Sequence, residues 1–238
     1  MFNELLIRRS TFFVKDKIVV DNENVIKIAS SLSKFGLVPS ANKGFEFKIT
    51  PNGITQEEVF SLEMKTFNDS FKIVFSQDRI DLICNKISEI DKIESLDSFL
   101  KKTKEIFDIL KNAYSLSITR VALYANICFD IPLASLDNIY CRLVNSDERP
   151  REWQLRKVLS ATLLPIIQIN NVHSLARNIA QIGFENKPKD RILCELDINT
   201  NPVEGLVLTD NDINNFWSYA SESICDTIDK YSEQLAYE

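Results

Sequence analysis

Apolar and polar positions along the first half of the chain change period several times. Leu5, Ile7 and Phe12-Phe13-Val14 read as a strand, and Ile18-Val19-Val20 as its hairpin partner. Asp21 or Asn22 caps a predicted helix whose apolar residues are Val25, Ile28, Ala29, Leu32 and Phe35. Gly36 ends that helix, and Pro39 follows as a stop signal. Residues 45–49, 59–66, 71–75 and 79–85 read as strands in close order. Ser95 then caps a long helix with Leu96, Phe99, Thr103, Ile106, Phe107, Leu110 and Tyr114 along one stripe.

The second half opens on the most apolar strand, residues 118–129. Val121, Leu123, Ala125, Ile127 and Phe129 line one face, while Ala122, Tyr124 and Cys128 leave the other mostly apolar. Such a strand is covered on both sides and belongs in the middle of a sheet. A helix over 133–144, a polar stretch over 146–153 and a short helix over 155–159 follow. Strands are expected at 164–170, 175–182 and 191–198, and Thr209 with Asp212 starts a last helix that runs to 235.

Three strands and a long helix thus occur at 59–114 and again at 164–235. Asp78-Arg79-Ile80 corresponds to Asp190-Arg191-Ile192 at an offset of 112, and the helix starts Ser95 and Thr209 differ by 114. The expected fold is α+β: two related halves, 1–117 and 118–238, each an antiparallel sheet with a long helix, forming one continuous body.

The segment from Phe71 to Phe129 carries a resemblance. A strand pair ending Asp78-Arg79-Ile80-Asp81-Leu82 leads through the Phe99/Phe107/Leu110 helix into Ile118-Thr119-Arg120-Val121-Ala122-Leu123-Tyr124-Ala125-Asn126. This is similar to a family of sporadically distributed, uncharacterised prokaryotic proteins of about this length. The Leu196-Asp197-Ile198 strand before an acidic C-terminal helix also looks like that family's second half. The resemblance implies the fold and brings no activity with it.

Composition mostly excludes. The chain has 238 residues, 45% hydrophobic and 26% charged, which suits a globular protein. Its five Gly are never closer than eight residues apart, so neither the dinucleotide fingerprint nor the P-loop can be written. One His removes H-E-x-x-H and every two-imidazole mechanism. The five Cys form no C-x-x-C and sit mostly among apolar neighbours, so buried reduced thiols are expected. The first twenty residues carry six charges, and the longest uncharged run, 158–176, contains Pro165, Gln168, Asn170, Asn171 and His173. Neither a signal peptide nor a membrane span is expected, and the reading is a cytoplasmic protein without a cofactor. Net charge is −6, and residues 209–238 hold seven acids against Lys230 alone. Binding to nucleic acid is not expected on this balance.

Candidate chemistry is thin. Restriction-type nucleases need [DE]-x-K on a strand, and Glu46-Phe47-Lys48 and Glu63-Met64-Lys65 have that form, with Asp21 upstream. Chance in a chain with 34 acids and 18 Lys supplies about as many such triplets, including Glu185-Asn186-Lys187. Asp210-Asn211-Asp212 begins like a calcium loop, but Asn215 and Ser221 stand where Gly and Glu are required. His173 reads as a turn or strand-end residue. Two features point to binding instead. Arg142, Arg149, Arg151, Arg156 and Lys157 surround Trp153, a local basic excess of residue types that anchor interfaces. On the last helix, Glu222, Asp226, Asp229 and Glu233 fall together opposite an apolar stripe of Ile213, Trp217, Ala220, Ile224, Ile228, Tyr231 and Leu235. The expected function is a non-catalytic interaction protein, an accessory component of a multi-gene prokaryotic system that meets a protein partner or another copy of itself. The alternative is a metal-dependent nuclease using Glu46 and Lys48.

Overall fold

The computed structural model describes all residues except 1, 20, 51–52, 89–92, 165, 183–184 and 237–238. Side chains are described except at those positions and at 2–3, 41–50, 54–61, 130, 134 and 164. The fold is α+β. Nine strands form one antiparallel sheet, and four α-helices are present among the described residues.

The first strand, β1 (Phe2–Val14), lies at the centre of the sheet. Helix α1 (Asn22–Leu32) follows, capped by Asp21, whose carboxylate accepts from Asn24 N–H at 2.8 Å. A 3₁₀ turn ends at Gly36, whose φ of 67° suits a residue without a Cβ. The chain then runs out and back through β2 (Val38–Thr50), β3 (Gly53–Lys65), β4 (Phe71–Phe75) and β5 (Arg79–Asn85) into α2 (Leu96–Tyr114). The second half runs β6 (Ile118–Asp130), α3 (Leu133–Val144), β7 (Trp153–Leu164), β8 (Ile167–Ala180), β9 (Lys189–Thr200) and α4 (Asp210–Leu235). The spatial order is β2-β3-β4-β5-β1-β6-β9-β8-β7.

Strand β6 takes a central place, between β1 and β9, but it is not covered on both sides as its pattern predicts: Val121, Leu123, Ala125, Ile127 and Phe129 are buried under the helices, while Ala122 and Tyr124 are half-exposed on the other face. Buried and half-exposed residues alternate along β4, so the helices cover one face of the sheet and leave the other open. Phe12 of β1 stacks on Phe107 of α2 at 4.4 Å, and Trp217 of α4 meets both rings edge-on at 5.7 and 6.3 Å. This aromatic triad fastens both long helices to the middle of the sheet. The open face is polar at its centre. Arg9 lies over Tyr124 and Arg120 over Phe13, while Asp81 accepts from Thr11 and pairs with Arg79.

Several elements differ from the sequence expectation. Residues 18–19 form no strand; Ile18 N–H donates to Gln77 O, and β1 pairs with the distant β5 and β6 instead. The first helix ends before Pro39 as expected, and Pro39 itself sits in β2, an edge strand, where a missing N–H is tolerated. The short helix at 155–159 is part of β7, and the two strands expected at 164–170 and 175–182 are one, β8. The stretch 164–235 therefore holds two whole strands and a helix, with the third strand, β7, ahead of it.

Candidate functional site

Helix α4 begins with a capping box: Thr209 Oγ1 accepts from Asp212 N–H, and the Asp212 carboxylate accepts from Thr209 N–H at 2.8 Å. Asp210 pairs with Lys111 of α2. The residues that resembled a calcium loop are thus a helix start. Ile213, Phe216, Trp217, Ala220 and Ile224 bury the inner face, and Ile228 and Tyr231 pack half-buried against the same core. Glu222, Asp226, Asp229 and Glu233 are all exposed on the outer side, and among the described residues none of the four is in an ion pair. Glu233 alone of the four lies in the last turn, next to the negative end of the helix dipole.

The basic segment separates into different roles. Arg142, on α3, donates to Gln234 O at 2.6 Å and to Ala236 O at 3.3 Å, tying down the end of α4. Arg149 and Arg151 are exposed in the connection before β7. Trp153 is not an exposed anchor: it is buried, with its ring 5.7 Å from Tyr140. Being the first residue of β7 on the helix-facing row, opposite Arg177, puts it in the core. Arg156 and Lys157 are exposed on β7, the strand at the sheet edge.

The structure brings Arg156 and Lys157 together with Glu222 and Asp226 around one groove of about 840 Å³ between α4 and the β7–β8 hairpin. Asp229 and Glu233 lie outside it. Its floor includes Asn171 and His173 of β8, both buried at 6% exposure. Asn171 Nδ2 donates to Ser223 Oγ at 2.5 Å, and its Oδ1 lies 2.7 Å from His173 Nε2. Burial, reinforced by Lys157 and Lys230, holds the His173 imidazole below the ordinary histidine range. Tyr231 meets the imidazole edge-on at 6.2 Å, and burial pushes its hydroxyl up to about 12.

His173 is therefore a strand-interior residue facing α4, not a turn residue. The signal was present: Ile167, Ile169, Asn171, His173 and Leu175 keep a period of two, and polarity at two of the five hid it.

The nuclease candidates are placed differently. Glu46 and Lys48 are on β2, and their side chains lie outside the described residues. Lys65 pairs with Asp69 at 2.9 Å and Glu63 with Lys72 at 3.8 Å, both across the strand ladder or its turn. Asp21 is consumed as the cap of α1. Glu185 is bound by Arg191 at 2.7 Å and Lys189 at 2.8 Å. No group of three metal-ligating side chains occurs among the described residues.

No family model and no curated protein matches the chain. Among solved structures, the chain is similar to the Methanococcus jannaschii TBP. The identity is 13% over 96% of this chain and 98% of that one, with a TM-score of 0.27, too low to transfer anything from it.

Proposed function

We propose that this is a cytoplasmic, non-catalytic interaction protein whose outer α4 face docks a basic partner, either another protein or a second copy. The observation that carries it is the row Glu222, Asp226, Asp229 and Glu233, exposed and outside any ion pair among the described residues. Like charges three and four apart oppose helix formation. The row persists because the opposite face of α4 is anchored by Trp217, Ile224 and the rest of the core. A second copy would offer Arg149 and Arg151, which are exposed, whereas Arg142 is already engaged within its own chain. No helix among the described residues is long and apolar enough to cross a membrane.

The same reading includes two related halves. In support, core positions recur at fixed intervals. Phe99, Thr103, Ile106 and Leu110 of α2 match Ile213, Trp217, Ala220 and Ile224 of α4, all buried and each 114 residues on. Ile80 pairs with Phe12 next to the sheet centre, and Ile192 pairs there with Phe129. Extending the ladders outward matches Phe71, Ile73 and Phe75 of β4 to His173, Leu175 and Arg177 of β8.

The nuclease alternative supplies the sharpest test of the non-catalytic part. Single- and double-stranded substrates incubated with Mg²⁺ or Mn²⁺ remain intact on this account. Cleavage that disappears in Glu46→Gln and Lys48→Ala overturns it.

A further inference from the structure

His173 has an unmet hydrogen-bonding capacity. Its Nε2 faces Asn171 Oδ1 at 2.7 Å, and Asn171 spends its amide donor on Ser223 Oγ. An amide oxygen only accepts, so Nε2 carries the hydrogen and donates. In the neutral ring Nδ1 is then an acceptor, and this buried atom has no partner. Burial and the nearby Lys157 and Lys230 keep the ring neutral at neutral pH. On the proposed correspondence of the two halves, Phe71 of β4 takes the register position of His173, so an apolar ring suits such a place.

The surroundings specify what would satisfy it. Lys157 stands directly opposite His173 in the β7–β8 ladder, and Lys230 precedes Tyr231 on the facing helix. Two ammonium groups beside a donor-seeking nitrogen favour an anion that also carries a hydroxyl. Glu222 and Asp226 on the α4 wall accept hydrogen bonds too, so several hydroxyls suit the groove better than one. Tyr231 presents a ring surface for the less polar side of such a molecule.

We propose that the groove binds a polyhydroxylated organic anion of the sugar-phosphate class, with a hydroxyl donating to His173 Nδ1 and the anionic group between Lys157 and Lys230. The groove shares Glu222 and Asp226 with the docking row on α4, whereas His173, Lys157 and Lys230 belong to the groove and not to that row.

His173 is the chain's single histidine, so imidazole ¹⁵N spectra of the full-length protein report it alone. The free protein should show the neutral Nε2–H tautomer. Ribose 5-phosphate at millimolar concentration should move the Nδ1 resonance upfield and leave Nε2 nearly unchanged, while ribose and inorganic phosphate each bind at least about tenfold more weakly. His173→Phe should remain folded by its thermal transition and lose ribose 5-phosphate binding by calorimetry, and Lys157→Ala with Lys230→Ala should weaken it at least about tenfold. An Nδ1 resonance unmoved by all three probes overturns the proposal. So does undiminished binding by His173→Phe, or inorganic phosphate matching the sugar phosphate.

Discussion

Arg177 offers a test of how the second half is held together. It sits on the helix-facing row between Trp153 of β7 and Ile192 of β9, only 5% exposed. Its Nε and Nη2 donate to Asp190 at 3.1 and 2.8 Å, and Nη1 donates to Asp137 of α3 at 2.8 Å. The two carboxylates differ in solvation, Asp190 being 24% exposed and Asp137 60%. Those bonds, led by the one to Asp190, raise the guanidinium's affinity for its proton. Removing one partner of a buried pair costs about 3–5 kcal/mol when the remaining charge has nothing else. In Asp190→Ala the guanidinium keeps Asp137, which lowers the expected cost to about 2–3 kcal/mol. Arg177→Met instead removes the buried charge and leaves carboxylates that water can reach, while the thioether fills the space between Trp153 and Ile192. That change should cost only about 0–1 kcal/mol. With a urea slope of about 2 kcal/mol/M, the two midpoints should differ by about 1 M. Adding Arg177→Met to Asp190→Ala should recover most of the loss. Equilibrium urea unfolding in which Arg177→Met costs as much as Asp190→Ala would refute the reasoning.

Two further predictions concern titration and thiols. Burial alone would raise the Glu185 carboxyl, but hydrogen bonds from Arg191, Lys189 and Ile182 N–H overcome it and bring it down to about 2. A depressed carboxyl stabilises the fold fully above its unfolded value near 4.5 and loses that contribution as pH falls toward 2. Glu185→Gln should therefore flatten the fall in thermal stability between those limits, and an unchanged acid profile would contradict the ion pairing. None of the five cysteines is in a disulfide, and Cys84, Cys128 and Cys194 are buried while Cys225 is exposed. Ellman's reagent should label Cys225 first and leave the three buried thiols until denaturant is added; a native protein with all five equally reactive would contradict their burial.

Much of the fold was legible because its signals are local. The Ser95 and Thr209 caps, the α2 and α4 stripes and the doubly apolar β6 each sit within one turn or one alternation. What failed depended on distant partners. Nothing within 1–20 says that β1 pairs with residues seventy and more than a hundred positions away, so the nearest apolar run reads as its hairpin partner. The β7–β8 hairpin was obscured because Asn171 and His173 face the core, and their compensation by Ser223 and Tyr231 comes from another element. The acidic row was readable from helical spacing alone. The groove was not, because it is made by β8 and α4, about fifty residues apart in sequence.

The central claim, that the outer face of α4 is a docking surface, is tested by replacing its acids together: Glu222→Gln, Asp226→Asn, Asp229→Asn and Glu233→Gln. Three like-charged neighbour pairs disappear, which should stabilise the helix by about 1 kcal/mol in total. Thermal melts should move up slightly. Sedimentation of the purified protein, alone and with a lysine- and arginine-rich partner peptide, should show association reduced in the variant and falling with salt in the parent. Unchanged association alongside the stability gain would leave the acids as a solvated surface and contradict the account.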